Sequence, residues 1–421
     1  ADNMYSTRGF IYEYSVAAAK EEFWLGGFRD YDNEDGDGDP RTGTREWRDP
    51  GSDGQYGTGD DGPIEELPNM KLWIRIDDPN RRFAGEHLYD QMVAAGIPAA
   101  AGTDQPGLEK IITERSSCFL NVMVFYKYNI YTGGWSLTPD LDFIFDLYHS
   151  SMGQYSWATN YAGFKNTEFD DWAEKVKYPE TSADVKPAAI NAQWVKARYM
   201  PVVELWAAKA VKAYRTGWDG VVNFAGQGVN YPKVSYHNMN WTDPDGSGGT
   251  YWRNGPANTI VQGFKSDVSA LHVISSEWLW DWYALDVIYD TLIGRNPYDL
   301  SEEIGYMATE WSAYTIVEAG TEKTVAEFEL RTGLKFHDGS GVTARDVAFS
   351  LLMPKAAGSG VAWNYPMVMD IERVEISGQT IKVVFSVVSY WGLHWAGLMP
   401  IIHEDLWMTA LNHANINAGY T

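Results

Sequence analysis

A histidine–aspartate pair, His337–Asp338, stands inside "LRTGLKFHDGSGVTARDVAFSLL", residues 330–352. Such a pair does acid–base work when a nucleophile or a metal lies within hydrogen-bond reach. The sequence supplies neither: there is no G-x-S-x-G elbow, no H-E-x-x-H helix and no phosphate-binding loop. The residues read instead as a corner. Asp338-Gly339 makes a tight turn after a strand, and Thr343 caps the next helix, with Asp346 three residues on to close a capping box. No catalytic residue is assigned, and the chain is read as non-enzymatic.

Two other groups have chemistry in their spacing. Asn33, Asp35, Asp37 and Asp39 alternate about Gly36 and Gly38, which sets oxygen ligands at the i, i+2, i+4 spacing of calcium loops. Thr44 stands where the bidentate glutamate of such a loop belongs, and Glu46 follows two residues late. The loop is thus either a solvated segment or a Ca2+ site built from those four residues; no other cofactor is required. Aromatics interleaved with carboxylates form the second group, in "YTGGWSLTPDLD" (131–142) and "SSEWLWDWYALDVIYD" (275–290). On a helix Trp278 and Trp282 share a face, with Trp280 opposite. Asn240-Trp241-Thr242 is a glycosylation sequon of low specificity.

The elements that must position these groups alternate between strand and helix. Residues 11–28 read as a helix closed by Gly26-Gly27. The segment 30–66 holds thirteen acidic and three basic residues among eight glycines and reads as a loop. "KLWIRIDD" (71–78) alternates as a strand, followed by a helix whose apolar stripe is Phe83, Leu88, Met92 and Val93. "NVMVFYKYNIY" (121–131) is a second strand candidate. Helices are expected at 168–179 and 183–199, and strand and turn at 210–224. Residues 284–294 read as helical, "VAEFELRTG" as a strand, and "IERVEISGQTIKVVFSV" as a hairpin about Gly378. The class is α/β with several small sheets.

Composition narrows the partners. The 421 residues carry a formal charge of −24, which offers no basic footprint for nucleic acid or an anionic membrane surface. Nineteen Trp, 26 Tyr and 16 Phe exceed an ordinary core's need, so they line a concave surface or pack lobe against lobe. The single cysteine, Cys118, excludes an internal disulfide framework and reads as a buried inert thiol. No apolar run reaches the length of a membrane span. The polar opening "ADNMYSTRG" carries no signal peptide, so an exported protein would be a processed form.

"YDTLIGRNPYDL…EFELRTGLKFHDGSGVTARDVAFSLL" (289–352) resembles the start of the family 5 extracellular solute-binding proteins of ABC importers, which take dipeptides, oligopeptides, nickel and some oligosaccharides. "YTGGWSLTPDLDFIFDLYHSS…TNYAGFKNTEFDDWAEKV…MPVVELWAAKAVKAYRTGWDGVV" (131–222) resembles the latter part of the same family. The resemblance implies a periplasmic-binding-protein-like fold of type II with mixed sheets, and non-covalent capture of ligand between lobes. It assigns ligand contacts to Tyr131, Trp135, Asp140 and Asp142 in the first block, Trp135 matching a pocket tryptophan. It assigns Glu277, Trp278 and Trp282 in the segment before the second. Thr138 stands where peptide-binding members carry a carboxylate for the ligand's amino group, and a neutral hydroxyl cannot make that charge-assisted bond.

The order of the blocks is permuted, and the family's middle has no counterpart. Residues 1–235 resemble the family's end, 236–257 form a glycine-rich linker, and 258–421 resemble its beginning. The chain is expected to be an extracellular or cell-surface solute-binding protein, or a segment of one. It would pass a peptide-like or oligosaccharide ligand to an importer permease. The alternative is a cell-surface assembly module that reuses the fold, self-associating or pairing with a chain that supplies the missing segment.

Overall fold

The computed structural model describes residues 15–408 except 30, 32–45, 57, 138, 154–158, 206–212, 215–216, 226–227, 230–231, 242–261 and 265–266. The chain divides into two compact units, Ala1–Trp135 and Ser136–Thr421. This is a division by packing; the boundaries at 235 and 257 are a division by resemblance, and they fall at different places. The calcium-spaced residues Asn33, Asp35, Asp37 and Asp39 lie outside the described residues, as do Thr138 and the threonine of the sequon.

In the first unit, Ser15 caps α1 (Val16–Leu25) by accepting from the Ala18 amide at 3.1 Å. Three two-residue strands, β1 (Phe28–Arg29), β2 (Glu46–Trp47) and β3 (Glu65–Glu66), pair antiparallel. The unit is organised by a parallel sheet in the order β5-β4-β6, formed by β4 (Asn69–Arg75), β5 (Gly107–Thr113) and β6 (Ile130–Tyr131). β4 buries Leu72 and Ile74 on one face and Trp73 on the other, as a central strand covered on both sides must.

The helix α2 (Pro79–Ala94), capped by Asp78, packs on a different face from the stripe expected of it. Phe83 is 72% exposed, and Leu88 and Val93 are also exposed. Gly85, Tyr89 and Met92 face the sheet instead. The cause is Gly85: a Cβ there would sit 2.7 Å from the Ile74 side chain, so only glycine lets the helix close onto β4. Of the strand expected over 121–131 only Ile130–Tyr131 is strand; 121–124 are helical and 125–129 are irregular. α3 (Arg115–Phe119) runs into one π turn, Leu120–Val124, before β6 begins. Cys118 and Val122 are buried while Leu120 between them is 44% exposed, which a helical turn allows and alternation by two does not. Burial raises the Cys118 thiol to about 11, which disfavours the reactive thiolate.

The second unit opens with α4 (Phe143–Tyr148), α5 (Thr167–Lys177) and α6 (Ser182–Tyr199), whose apolar faces make one cluster around Phe145, Phe169 and Ala192. β7 (Trp218–Asp219), α7 (Pro232–Asn238) and β8 (Asn240–Trp241) follow. Then come α8 (Leu279–Leu285), β9 (Ile293–Arg295) and β10 (Glu303–Gly305). The helix expected over 284–294 therefore lies earlier, and the apolar Val287 and Ile288 beyond it are exposed.

Its main sheet has the order β11-β12-β14-β13, all antiparallel, from β11 (Ala308–Glu318), β12 (Thr321–Leu330), β13 (Ile371–Ser377) and β14 (Thr380–Phe385). The β13–β14 hairpin turns at Gly378 as read from the sequence, with Ser377 opposite Thr380 and a φ of 66° at the glycine. α9 (Ala344–Ala357) lays Val347, Phe349, Leu351 and Leu352 into the core with Phe328, Ile381 and Phe385. Each such side chain contributes about 1.5–3 kcal/mol. α10 (Tyr365–Val368), α11 (Gly392–Gly397) and α12 (Glu404–Trp407) complete the unit. The α/β class is as expected. No helix among the described residues is long and apolar enough to cross a membrane.

Candidate functional site

Tyr131 and Trp135 lie at the carboxyl edge of the parallel sheet in the first unit. β5 and β6 flank β4 on opposite sides, so the strand order reverses there, and open α/β sheets gather ligands outside such strand ends. Tyr131 is half-buried; burial raises its phenol, and Arg75 opposes that rise. Trp135 is 42% exposed at the tip of the "TGGW" loop. Two arginines stand beside them. Arg75, the last residue of β4, donates from Nε to Asp77 Oδ1 at 3.0 Å and pairs with the same carboxylate through Nη2. Arg81, in the first turn of α2, lies directly under the loop: a Cβ on Gly134 would come within 2.6 Å of its Nη2. Neither arginine was singled out from the sequence; a double glycine beside an aromatic was the available signal that a bulky group passes close to the backbone.

In the second unit Asp140 and Asp142 are drawn inward. Asp140 pairs with Arg295 and stands 3.3 Å from His394 Nδ1. His394 Nε2 faces Glu303 Oε1 at 2.7 Å. Burial acts most strongly on the imidazole and lowers its pKa, but Asp140 and Glu303 together outweigh it and the net shift is upward. Asp142 is 5% exposed and accepts from Trp395 Nε1 at 2.7 Å. Lys177 is fully buried. It donates to Asp146 Oδ1 at 3.1 Å, lies 3.7 Å from Asp142, and sits over the Trp395 ring at 4.6 Å. A buried ammonium needs this many partners to offset its lost hydration. "PDLD" thus begins an internal ionic lattice, and Lys177 and His394 could not be joined to it from sequence because their partners are remote.

Glu277, Trp278 and Trp282 are split by the local fold. Trp282 packs edge-on against Trp363 at 4.9 Å and donates to the Ser276 carbonyl at 2.8 Å, so it is an interior residue. Trp278 precedes α8 at its N-cap, half-buried, and Glu277 is exposed beside it. Desolvation by its surroundings pushes the Glu277 carboxyl up to about 7, a rise that its exposed position limits. Asp281, not singled out, is the anchor of this segment. It is wholly buried and accepts from Ser269 N at 2.7 Å, Ala270 N at 3.2 Å and Ser276 Oγ at 2.6 Å.

The His337–Asp338 corner is structural, as read. Asp338 Oδ1 accepts from Ser340 N at 2.9 Å and Ser340 Oγ at 2.6 Å, and the Thr343/Asp346 capping box is present. His403 Nε2 lies 3.0 Å from Ser340 Oγ, which resembles part of a Ser-His-Asp triad. The orientation is wrong for one. The carboxylate holds the serine rather than the far ring nitrogen, and His403 Nδ1 is buried with no hydrogen-bond partner among the described residues. Beside this corner opens a cavity of about 570 Å³, lined among others by Lys233, Asp286, Tyr289, His337 and Trp407. Among the described residues no cluster of His, Cys, Asp and Glu is arranged to hold a metal ion.

Residues 304–407 match the family model of bacterial extracellular solute-binding proteins, family 5 Middle. That stretch is similar to family 5 solute-binding sequence. It spans the main sheet, the His337–Asp338 corner and α9, so the resemblance read from the capping-box motif holds there. No curated protein matches the chain. Among solved structures it is similar to the periplasmic oligopeptide-binding protein of Thermotoga maritima with bound mannohexaose, at 23% identity over 31% of this chain and 23% of that one, TM-score 0.25. It is also similar to NikZ of Campylobacter jejuni in complex with Ni(L-His), at 18% identity over 36% and 29%, TM-score 0.28. A third is the oligopeptide-binding protein of Thermus thermophilus complexed with a pentapeptide, at 20% identity over 33% and 24%, TM-score 0.27. The chain spans about a quarter of the length of these proteins.

Proposed function

We propose that the chain is a solute-binding protein, or a segment of one, acting outside the cytoplasm and handing a small oligomeric solute to an ABC importer permease. The observation that carries this reading is the family 5 match over residues 304–407. The solute is peptide-like or an oligosaccharide, and binding involves no covalent chemistry. In the first unit the aromatic edge of Tyr131 and Trp135 supports a contact surface; in the second, the exposed Glu277 beside Trp278 does the same. Asp140 and Asp142 also hold the second unit together through Arg295 and Trp395. Calcium on Asn33, Asp35, Asp37 and Asp39 remains part of the proposal, argued from their spacing alone.

A second reading, an assembly module at the cell surface, is favoured by β11. It is an eleven-residue edge strand with most of its residues exposed, and open edges template pairing with another chain. Native mass spectrometry of the purified chain, with its denatured mass as reference, separates the two. A monomer carrying a few hundred daltons of excess mass supports solute binding. A ladder of oligomers with no small-molecule mass overturns it in favour of assembly. Mass steps removed by a chelator test the calcium loop.

A further inference from the structure

Arg81 differs in its partners from every charged group around it. Arg75 is satisfied by Asp77, which also feels the charge of Arg115. Asp78 uses Oδ1 to cap α2, accepting from Asn80 N at 3.1 Å and Arg81 N at 3.3 Å. Its Oδ2 stands 3.7 Å from Arg81 Nε, beyond hydrogen-bond length. The Arg81 side chain is 21% exposed and donates no hydrogen bond among the described residues. A guanidinium offers five donors in a rigid planar fork, and those of Arg81 face water and the ion-paired Asp78 carboxylate rather than a hydrogen-bonding protein group. Burial is the largest influence on Arg81 and the neighbouring Arg75 the next, and both disfavour its charge. The site therefore gains from any added anion.

Its surroundings fit one. Arg81 stands where β4 and β6 end, beside the phenol of Tyr131 and beneath Gly134, whose missing side chain gives the guanidinium its room. Trp135, one residue on, presents an exposed ring. We propose that Arg81 is the seat for a carboxylate on the bound solute, with Tyr131 and Trp135 beside it. The proposal rests on the solute-binding reading and sharpens it: the solute is held by an acidic group rather than by an amine. Two sources share this chemistry, a peptide carboxyl terminus and an acidic sugar.

The test is titration of the whole chain at constant ionic strength, followed by tryptophan fluorescence. Glutarate is compared with the neutral glutaramide, N-acetylated trialanine with its neutral C-terminal amide, and glucuronate with glucose. Saturable binding of an acid at least tenfold tighter than its neutral partner is expected. The acid that binds more tightly, N-acetylated trialanine or glucuronate, identifies the source. Arg81→Gln should weaken that binding at least tenfold, and Arg81→Lys should restore part of it. Arg82→Gln should leave it unchanged, because Arg82 faces outward and pairs with Glu86 at 3.2 Å. Gly134→Ala, which displaces the guanidinium without removing it, should mimic Arg81→Gln if the latter folds poorly. Equal binding of acids and neutral partners, no binding of any of them, or wild-type affinity in both variants overturns the proposal. A co-purified neutral or amine ligand retained by Arg81→Gln would overturn it while leaving the solute-binding reading intact; oligomers without ligand would overturn that reading itself.

Discussion

Trp395 and Asp142, 253 positions apart, are joined by a 2.7 Å hydrogen bond from the indole nitrogen to the buried carboxylate. The contact belongs to a seam along which α4 and α5 meet the main-sheet segment. Tyr178 donates to Asp370 at 3.0 Å, Ser389 Oγ to the Lys177 carbonyl at 2.9 Å, and Trp391 Nε1 to the Val176 carbonyl at 2.8 Å. The two stretches that resemble opposite ends of one family thus share the core of one unit.

Trp395→Phe should retain the ring packing and delete the donor to Asp142. The expected loss is about 1.5–3 kcal/mol, the usual effect of removing a hydrogen bond to a buried charged group. A urea melt of the variant against wild type measures it. A midpoint within error of wild type would show that Lys177 alone satisfies Asp142.

The lattice should also make stability depend on pH. Asp146 is raised by burial to about 6, with Lys177 opposing, and His394 is raised by Asp140 and Glu303 over the effect of burial. Groups raised in the folded state bind protons more tightly there, so their stabilisation is present at low pH and lost as pH rises through the folded value. For Asp146 the loss runs from about pH 4 to about pH 6; for His394 it begins above the ordinary histidine range. Asp140 is lowered, so its contribution fails only in more acid solution. Thermal melts should show midpoints falling from about pH 4 to about pH 6 and again above the ordinary histidine range. Asp146→Asn should flatten the acid half and His394→Gln the neutral half; unchanged slopes would refute the assignment.

At the start of α9, Thr343→Ala removes a cap that accepts from the Asp346 amide and should cost about 1 kcal/mol. Asp346→Ala should cost more, because Asp346 Oδ1 also accepts from the Glu404 amide at 2.9 Å. Equal losses in chemical denaturation would mean that the Glu404 bond contributes nothing.

In the first unit, Gly85→Ala should be destabilising by about 1–3 kcal/mol through overpacking against Ile74, although alanine is the better helix former. A melt that shifts upward would show that α2 moves off β4 at no cost.

Local chemistry was the part legible in the sequence. The Thr343 cap, the Gly378 hairpin and the strands β4 and β12 were readable because each depends on residues a few positions apart, whereas β5 and β11 were not read. Alternation misled over 118–124, where a short apolar run fits strand or helix equally, and along α2, where the smallest residue rather than the largest marks the buried face. Asp140 and Asp142 looked available because their partners, Arg295, His394, Lys177 and Trp395, lie elsewhere in the chain. Arg81 escaped notice because the glycine loop that covers it lies far along the chain.

The wide separation of Asp142 from Trp395 sets an order of events in the living cell. At about 5–20 residues per second of synthesis, roughly 10 to 50 seconds pass between the emergence of α4 and that of the tryptophan that completes its buried lattice. Through that interval the acidic and lysine side chains of α4 and α5 lack the indole that covers them in the finished unit. The nascent chain must therefore be sheltered or remain open until the segment carrying Trp395 leaves the ribosome.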